Sequence, residues 1–228
     1  MPDALPPQLL VTDFAGTTFR DDGAVLEAYR AALNSQQLPF TEAELRARRG
    51  ASKLAVMTEF ASRAHGDEDV PTIANDALAA FEQALTDAYQ SGPVSEVPGA
   101  ATTMRWLQER GCSVALTTGF PRSLVELLLD RLGWKELFNL TLSGDDVAAS
   151  RPAPFMIYRA MADLGVQDVR RVAVIGDTPL DLQAGMNAQA GWVIGVLSGA
   201  HTLDTLGPSE HTHIVASIAE LPRIFTTA

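Results

Sequence analysis

Four short apolar runs, each ending at once in a polar or small residue, limit this chain more than any other feature. They are "QLLVTD" (8–13), "SVALTTG" (113–119), "RVAVIGD" (171–177) and "WVIGVLSG" (192–199). Near-continuous apolar strands of this length are buried on both faces. Helical patterns precede the second run and separate it from the third: "PGAATTMRWLQERG", then "RSLVELLLDRLGW" and "PAPFMIYRAMADLG", with prolines and glycines near several of their ends. Strands alternating with helices predict an α/β fold, a doubly wound parallel sheet with right-handed crossovers and helices on both faces.

Residues 21 to about 95 break this alternation. They contain no strand pattern and read as helices, in "AVLEAYRAALNSQ", "TEAELRARRG", "KLAVMTEFASRA" and "IANDALAAFEQALTDAYQ". The simplest organisation is a core of residues 1–20 and 96–228 with a helical insertion at 21–95, and hinges near 20–23 and 92–98. There is no internal repeat or low-complexity tract.

Composition narrows the class. With 228 residues, 46% of them hydrophobic, the chain can bury a sizeable core. A net charge of −11 argues against unspecific binding to nucleic acid or an anionic membrane, though not against a small anion in a local positive site. No apolar run is long enough to span a bilayer, and "MPDALPPQ" lacks the pattern of a signal peptide, so a cytoplasmic protein is the default expectation. The single cysteine, Cys112, reads as a small buried residue. Only two of the 17 basic residues are lysines, Lys53 and Lys135.

In an open parallel sheet, ligands gather beyond the carboxyl ends of the strands. Asp13 ends the first run, Thr117 and Thr118 the second, and Asp177 a third, with Asp181 following in "GDTPLD". Arg151, in "AASRPAP", supplies a cation, unless it pairs only with nearby Asp145 or Asp146. Converging carboxylates repel one another unless a cation lies between them, and an all-oxygen set suits Mg²⁺. A threonine hydroxyl, backbone N–H groups and Arg151 would hold phosphoryl oxygens, leaving one carboxylate free to attack phosphorus.

These motifs resemble those of the haloacid dehalogenase superfamily: "DFAGT" its first, "LTTG" its second, the basic Arg151 its third and "GDTPLD" its fourth. The resemblance covers nearly the whole chain and implies a Rossmann-like core with a helical type 1 cap. Within the superfamily, "TDFAGTT", "TTGFPR", "DDVAASRPAPFMIYRAM" and "IGDTPLDLQAGMNA" look most like the phosphonoacetaldehyde hydrolase (phosphonatase)-like branch. By that similarity Asp13 is the nucleophile, Mg²⁺ is held by Asp13, the Ala15 carbonyl and Asp177 with Asp181 beside them, and Arg151 balances charge. Thr118, or its neighbour Thr117, binds the phosphoryl group together with Gly119.

Ala15 stands where ordinary phosphatases of the superfamily carry a second aspartate that protonates the leaving oxygen. Cleavage of a C–P bond needs an electron sink instead, which an iminium on a neighbouring carbonyl provides. Lys53, in "RGASKLAVM", matches the branch's cap lysine. The branch has methionine and histidine where this chain has Arg49 and Val56, and the arginine suggests a more anionic or larger substrate, unless it forms a salt bridge on a solvated helix. His65, His201, His211 and His213 lie outside the motifs and read as surface or loop residues.

The expectation is therefore a Mg²⁺-dependent hydrolase of a small phosphonate aldehyde or ketone. A phosphatase acting on small phosphate esters shares every site residue except Lys53, and a weakly catalytic phosphate-binding relative is a third reading; a dehalogenase fits less well. The apolar helices around 54–60 and 73–89 would permit a homodimer through the cap.

Overall fold

A computed structural model of the protein describes residues 6–66 and 69–226; residues 1–5, which include most of the segment read for a leader, lie outside the described part. The chain opens with strand β1 (Leu9–Thr12), followed by four helices: α1 (Ala24–Ser35), α2 (Glu42–Ala47), α3 (Lys53–His65) and α4 (Val70–Ser91). It continues as α5 (Ala100–Gln108), β2 (Ser113–Thr118), α6 (Arg122–Leu132), β3 (Leu140–Ser143), α7 (Phe155–Asp163), β4 (Val172–Gly176) and α8 (Pro179–Ala188). The last elements are β5 (Trp192–Val196), α9 (Leu203–Leu206), β6 (His213–Val215) and α10 (Leu221–Thr226).

The six strands form one parallel sheet in the order β3-β2-β1-β4-β5-β6. The four runs read from the sequence are its four inner strands. Alternate residues serve opposite faces, as a period of two requires. Leu10, Val114, Leu116, Ala173 and Ile175 join one apolar cluster, while Leu9, Val11, Ala115, Val172 and Val174 join the other. The two edge strands, β3 and β6, carry no such run. Each is short and only partly buried, so alternation within three or four residues gives no signal.

Among the described residues, 24–91 holds the helices α1 to α4 and no strand. The long helix α4 buries Val70, Ala74, Ala77, Phe81, Leu85 and Tyr89, a stripe three to four residues apart that packs on α1 and α3. This packing is continuous with the sheet: Tyr29, Phe81 and Tyr89 belong to the same cluster as Leu10 and Ile175. Phe19 connects them, its ring lying 4.6 Å from Phe14, 5.6 Å from Tyr89 and 6.5 Å from Phe120.

The chain leaves and rejoins the sheet layer through paired backbone. Arg20 N–H donates to Ser95 C=O at 2.9 Å and Val97 N–H to Thr18 C=O at 2.8 Å, so the two connections form a short antiparallel ribbon. Asp22 (φ 46°) and Gly23 (φ 93°) make the left-handed turn from this ribbon into α1. At the other end, Arg131 of α6 donates through Nη1 to the carbonyls of Tyr89 and Gly92, the latter at 2.7 Å.

Candidate active site

The sheet's switch point lies between β1 and β4, where successive connections depart in opposite directions, and both strands end there in an acid. Asp13 and Asp177 follow them directly, and ligands of such sheets bind at this crevice. Asp181 arrives through the start of α8. Thr178 is the N-cap, its hydroxyl oxygen accepting from Asp181 N–H at 3.4 Å, while Asp181 Oδ2 accepts from Thr178 N–H at 3.0 Å and from its hydroxyl at 2.6 Å. That capping box aims the other oxygen of Asp181 inward.

All three acids are buried, and each offers an oxygen within 4.8 Å of the others. Arg151, 8% exposed, donates through Nη1 to Asp13 Oδ1 at 2.7 Å and to Asp181 Oδ1. Asp146 pairs instead with Arg122. Asp177 forms no ion pair among the described residues; its Oδ2 accepts from Ala200 N–H at 2.6 Å, and burial together with the charge of Asp13 pushes its carboxyl well above the usual carboxylate range. A cation between Asp13 and Asp177 would relieve that cost, and the all-oxygen donor set suits Mg²⁺. Two further observations fit an occupied centre. Glycines line the acids closely: a methyl at Gly16 or Gly199 would stand 2.6 or 2.1 Å from Asp177 Oδ2. Arg151 Nε is buried without a hydrogen-bond partner among the described residues, a donor that an anion beside Asp13 would satisfy.

A small cavity of about 40 Å³ opens on these groups and is lined by Asp13, Ala15, Arg151 and Asp177 from strand ends and loops, and by Thr118 and Gly119 after β2. Thr117 is not on this lining; the strand's alternation turns it away, and its hydroxyl donates to Thr12 C=O at 3.3 Å. The roof comes from the loop between α2 and α3, through Arg49, Gly50 and Lys53. The loop sits close: a methyl on Gly50 (φ 81°) would meet Thr178 Oγ1 at 2.6 Å.

Lys53 is 8% exposed, not a surface lysine. Its Nζ donates to Ala51 C=O at 3.1 Å and lies 5.5 Å from the Tyr29 ring centre and 6.0 Å from that of Phe81. Burial, then the nearby Arg151 guanidinium, lowers its pKa to about 8. Arg49 lines the cavity while its Nη2 binds Asp21 Oδ2 at 2.7 Å; Asp21 also accepts from Val25 N–H and the Tyr89 hydroxyl, both at 3.0 Å. Arg48, by contrast, pairs with Glu59 on the exposed side of α3. Val56, where the phosphonatase-like branch has histidine, is 3% exposed within the apolar cluster.

Sequence motifs gave no sign of His201. His201 is half-buried with Nδ1 3.2 Å from Asp177 C=O, whereas His65 and His211 are exposed. Gly50 and Gly199 lie in quoted stretches, but the close approach of their backbone to Thr178 and Asp177 depends on the whole fold.

Buried carboxylates, a guanidinium and an amine of lowered pKa around one cavity can hold a cation and an anion and attack an electrophile. A family model described as haloacid dehalogenase-like hydrolase matches residues 7–189. The chain belongs to the haloacid dehalogenase-like hydrolase family, and its parallel sheet with flanking helices is the fold of that family. A phosphonoacetaldehyde hydrolase from Bacillus cereus is 30% identical over 210 residues, 86% of this chain and 78% of its own length. One from Parabacteroides distasonis is 34% identical over 110 residues, which are 47% of this chain and 40% of that protein. The solved structure of a phosphonoacetaldehyde hydrolase-like protein from Oleispira antarctica matches with a TM-score of 0.83 at 20% identity, covering 98% of this chain and 93% of that one.

Proposed function

We propose that this hydrolase cleaves the C–P bond of a small phosphonate aldehyde or ketone, using Asp13 as nucleophile and Lys53 as Schiff-base amine. The observation that carries this reading is the placement of Lys53. A buried amine with a pKa lowered to about 8 lines the same cavity as Asp13, and Ala15 stands where a second acid would serve an ordinary phosphatase. The phosphonoacetaldehyde hydrolases among its relatives support the same chemistry.

In this reading Asp13, Asp177 and the Ala15 carbonyl hold Mg²⁺, with Asp181 at its margin. When bound, the ion neutralises phosphoryl oxygens and offsets the repulsion between the acids. Arg151, Thr118 and the Gly119 N–H hold the remaining phosphoryl oxygens. Lys53 adds to the carbonyl, and loss of water gives an iminium. Asp13 attacks phosphorus; the P–C bond breaks, and its electron pair moves into the iminium to give an enamine and an aspartyl-phosphate. Water hydrolyses the acyl phosphate and releases inorganic phosphate. Protonation of the enamine carbon and hydrolysis of the resulting imine return the free amine. With Val56 in place of histidine, proton transfers at the imine fall to water. The helical segment 21–95 acts as a cap over this chemistry, its loop at Arg49–Lys53 closing on the core.

The test is phosphate release from phosphonoacetaldehyde, a ketone analogue and a panel of phosphate esters with Mg²⁺, run beside Lys53→Ala. Borohydride with a phosphonate should leave a covalent adduct on Lys53, and Lys53→Ala should lose phosphonate turnover by about 10³-fold or more. Full phosphonate turnover by Lys53→Ala would overturn the reading. Ester hydrolysis matching that of phosphonates, unaffected by the substitution, would favour a phosphatase.

A further inference from the structure

Lys53 and Gly119 line a second cavity as well as the first. It measures about 390 Å³, against about 40 Å³ around the acids, and neither the acids nor Arg151 are part of its lining. Its walls include Leu54, Leu78, Phe81, Pro121 and Val147, and its ionisable side chains are Lys53 at one end and Glu82. Leu54 is 44% exposed there, one of few large apolar side chains among the described residues left open to water. A third cavity, of about 410 Å³, adjoins the acid site through Arg49, but Arg20, Asp21 and Asp22 make it ionic.

A carbonyl carbon bound to Lys53 carries two further substituents about 120° apart. If the one bearing phosphorus points to Asp13 and Arg151, the other points away from them. We propose that the second cavity beside Lys53 receives that second substituent as an apolar chain, so that this enzyme's preferred substrates are 2-oxoalkylphosphonates. The proposal rests on the Lys53–Asp13 reading and adds the substrate class. Phosphonoacetaldehyde has only hydrogen at this position and leaves the cavity unfilled. The apolar walls favour a hydrocarbon substituent. In the overall reaction a 2-oxoalkylphosphonate and water give a methyl ketone and inorganic phosphate. The P–C bonding pair passes through the enamine and ends as a C–H bond, with the proton supplied by water.

The experiment compares phosphate release from phosphonoacetaldehyde and from 2-oxopropyl-, 2-oxobutyl- and 2-oxohexylphosphonate, with Mg²⁺ and the full chain. The expected kcat/KM rises about four-fold per added methylene, the equivalent of about 0.8 kcal/mol for a buried CH₂. Leu78→Trp, filling the cavity from α4, should bring the ratio of 2-oxohexyl to 2-oxopropyl turnover down to about one. Val147→Trp does the same from the loop after β3 should the first variant fail to fold. A flat or falling series in the parent enzyme, with the shortest phosphonates still cleaved, overturns the proposal. So does a chain-length gain that survives in both filled variants. Failure of every phosphonate to release phosphate instead removes the reading on which the proposal stands.

Discussion

A lysine is an expensive residue to bury, and Lys53 shows what that burial costs and what it supplies. In the unfolded chain a lysine titrates near 10.4, whereas here desolvation and the field of Arg151 lower it to about 8. Above the unfolded value both states are neutral and burial carries no electrostatic penalty. As pH falls through that window the unfolded chain takes up a proton first, so stability is lost, and the loss is complete below about 8. At about 1.4 kcal/mol per pH unit, the cost at neutrality is about 3 kcal/mol. Lys53→Met should therefore be more stable than the parent by about 1–3 kcal/mol at pH 7 in chelator-containing buffer, with the difference disappearing above pH ~10.5. Denaturant titrations at the two pH values check this, and equal stability at pH 7 would contradict the buried placement. The same environment keeps roughly a tenth of the amine unprotonated at pH 7, far more than in an exposed lysine.

At the scale of elements, helix α8 acts as an aiming device. Its first turn is closed by the reciprocal bonds between Thr178 and Asp181, and the acid's second oxygen is thereby directed at Arg151. Thr178→Ala should cost about 1 kcal/mol of stability and, by freeing Asp181, weaken Mg²⁺ dependence by about ten-fold or more. Thr178→Ser should restore both, as read by chemical denaturation and Mg²⁺ titration of phosphate release. This element was legible in the sequence because "GDTPLD" follows a buried run directly, so strand, turn and acid fall within a dozen residues. The same locality exposed Asp13, Thr118 and Gly119. The edge strands β3 and β6 were not legible, since half-buried segments of three or four residues leave no run or period to read. His201 reaches the site from a loop, and nothing within a few residues of it specifies the approach. The orientation of Lys53 lay between these cases: its motif was visible, but its burial against Tyr29 and Phe81 depends on how α1, α3 and α4 pack.

On the scale of the whole molecule, the helices of 24–91 have no core separate from the sheet, since a single apolar cluster runs through both. The chain passes between the helices and the sheet at two connections. Arg131 holds one of them by binding the carbonyls at the end of α4. Arg131→Ala should destabilise this end by about 1 kcal/mol and speed amide exchange around residues 88–97 about five-fold, with exchange in the inner strands unchanged. Hydrogen exchange read by mass spectrometry tests this; uniform acceleration across the sheet would show that the two parts open together. The other connection carries a broader consequence. Because residues 18–20 pair with 95–97, everything between them is, to the sheet, the loop of one β-hairpin. Closing a loop costs only about 0.6 kcal/mol more for each doubling of its length, so replacing a tight turn by this segment adds roughly 2–3 kcal/mol of closure entropy. The segment between these paired residues can thus be lengthened, shortened or rewritten at little topological expense, while the strand ends bearing Asp13 and Asp177 keep their register.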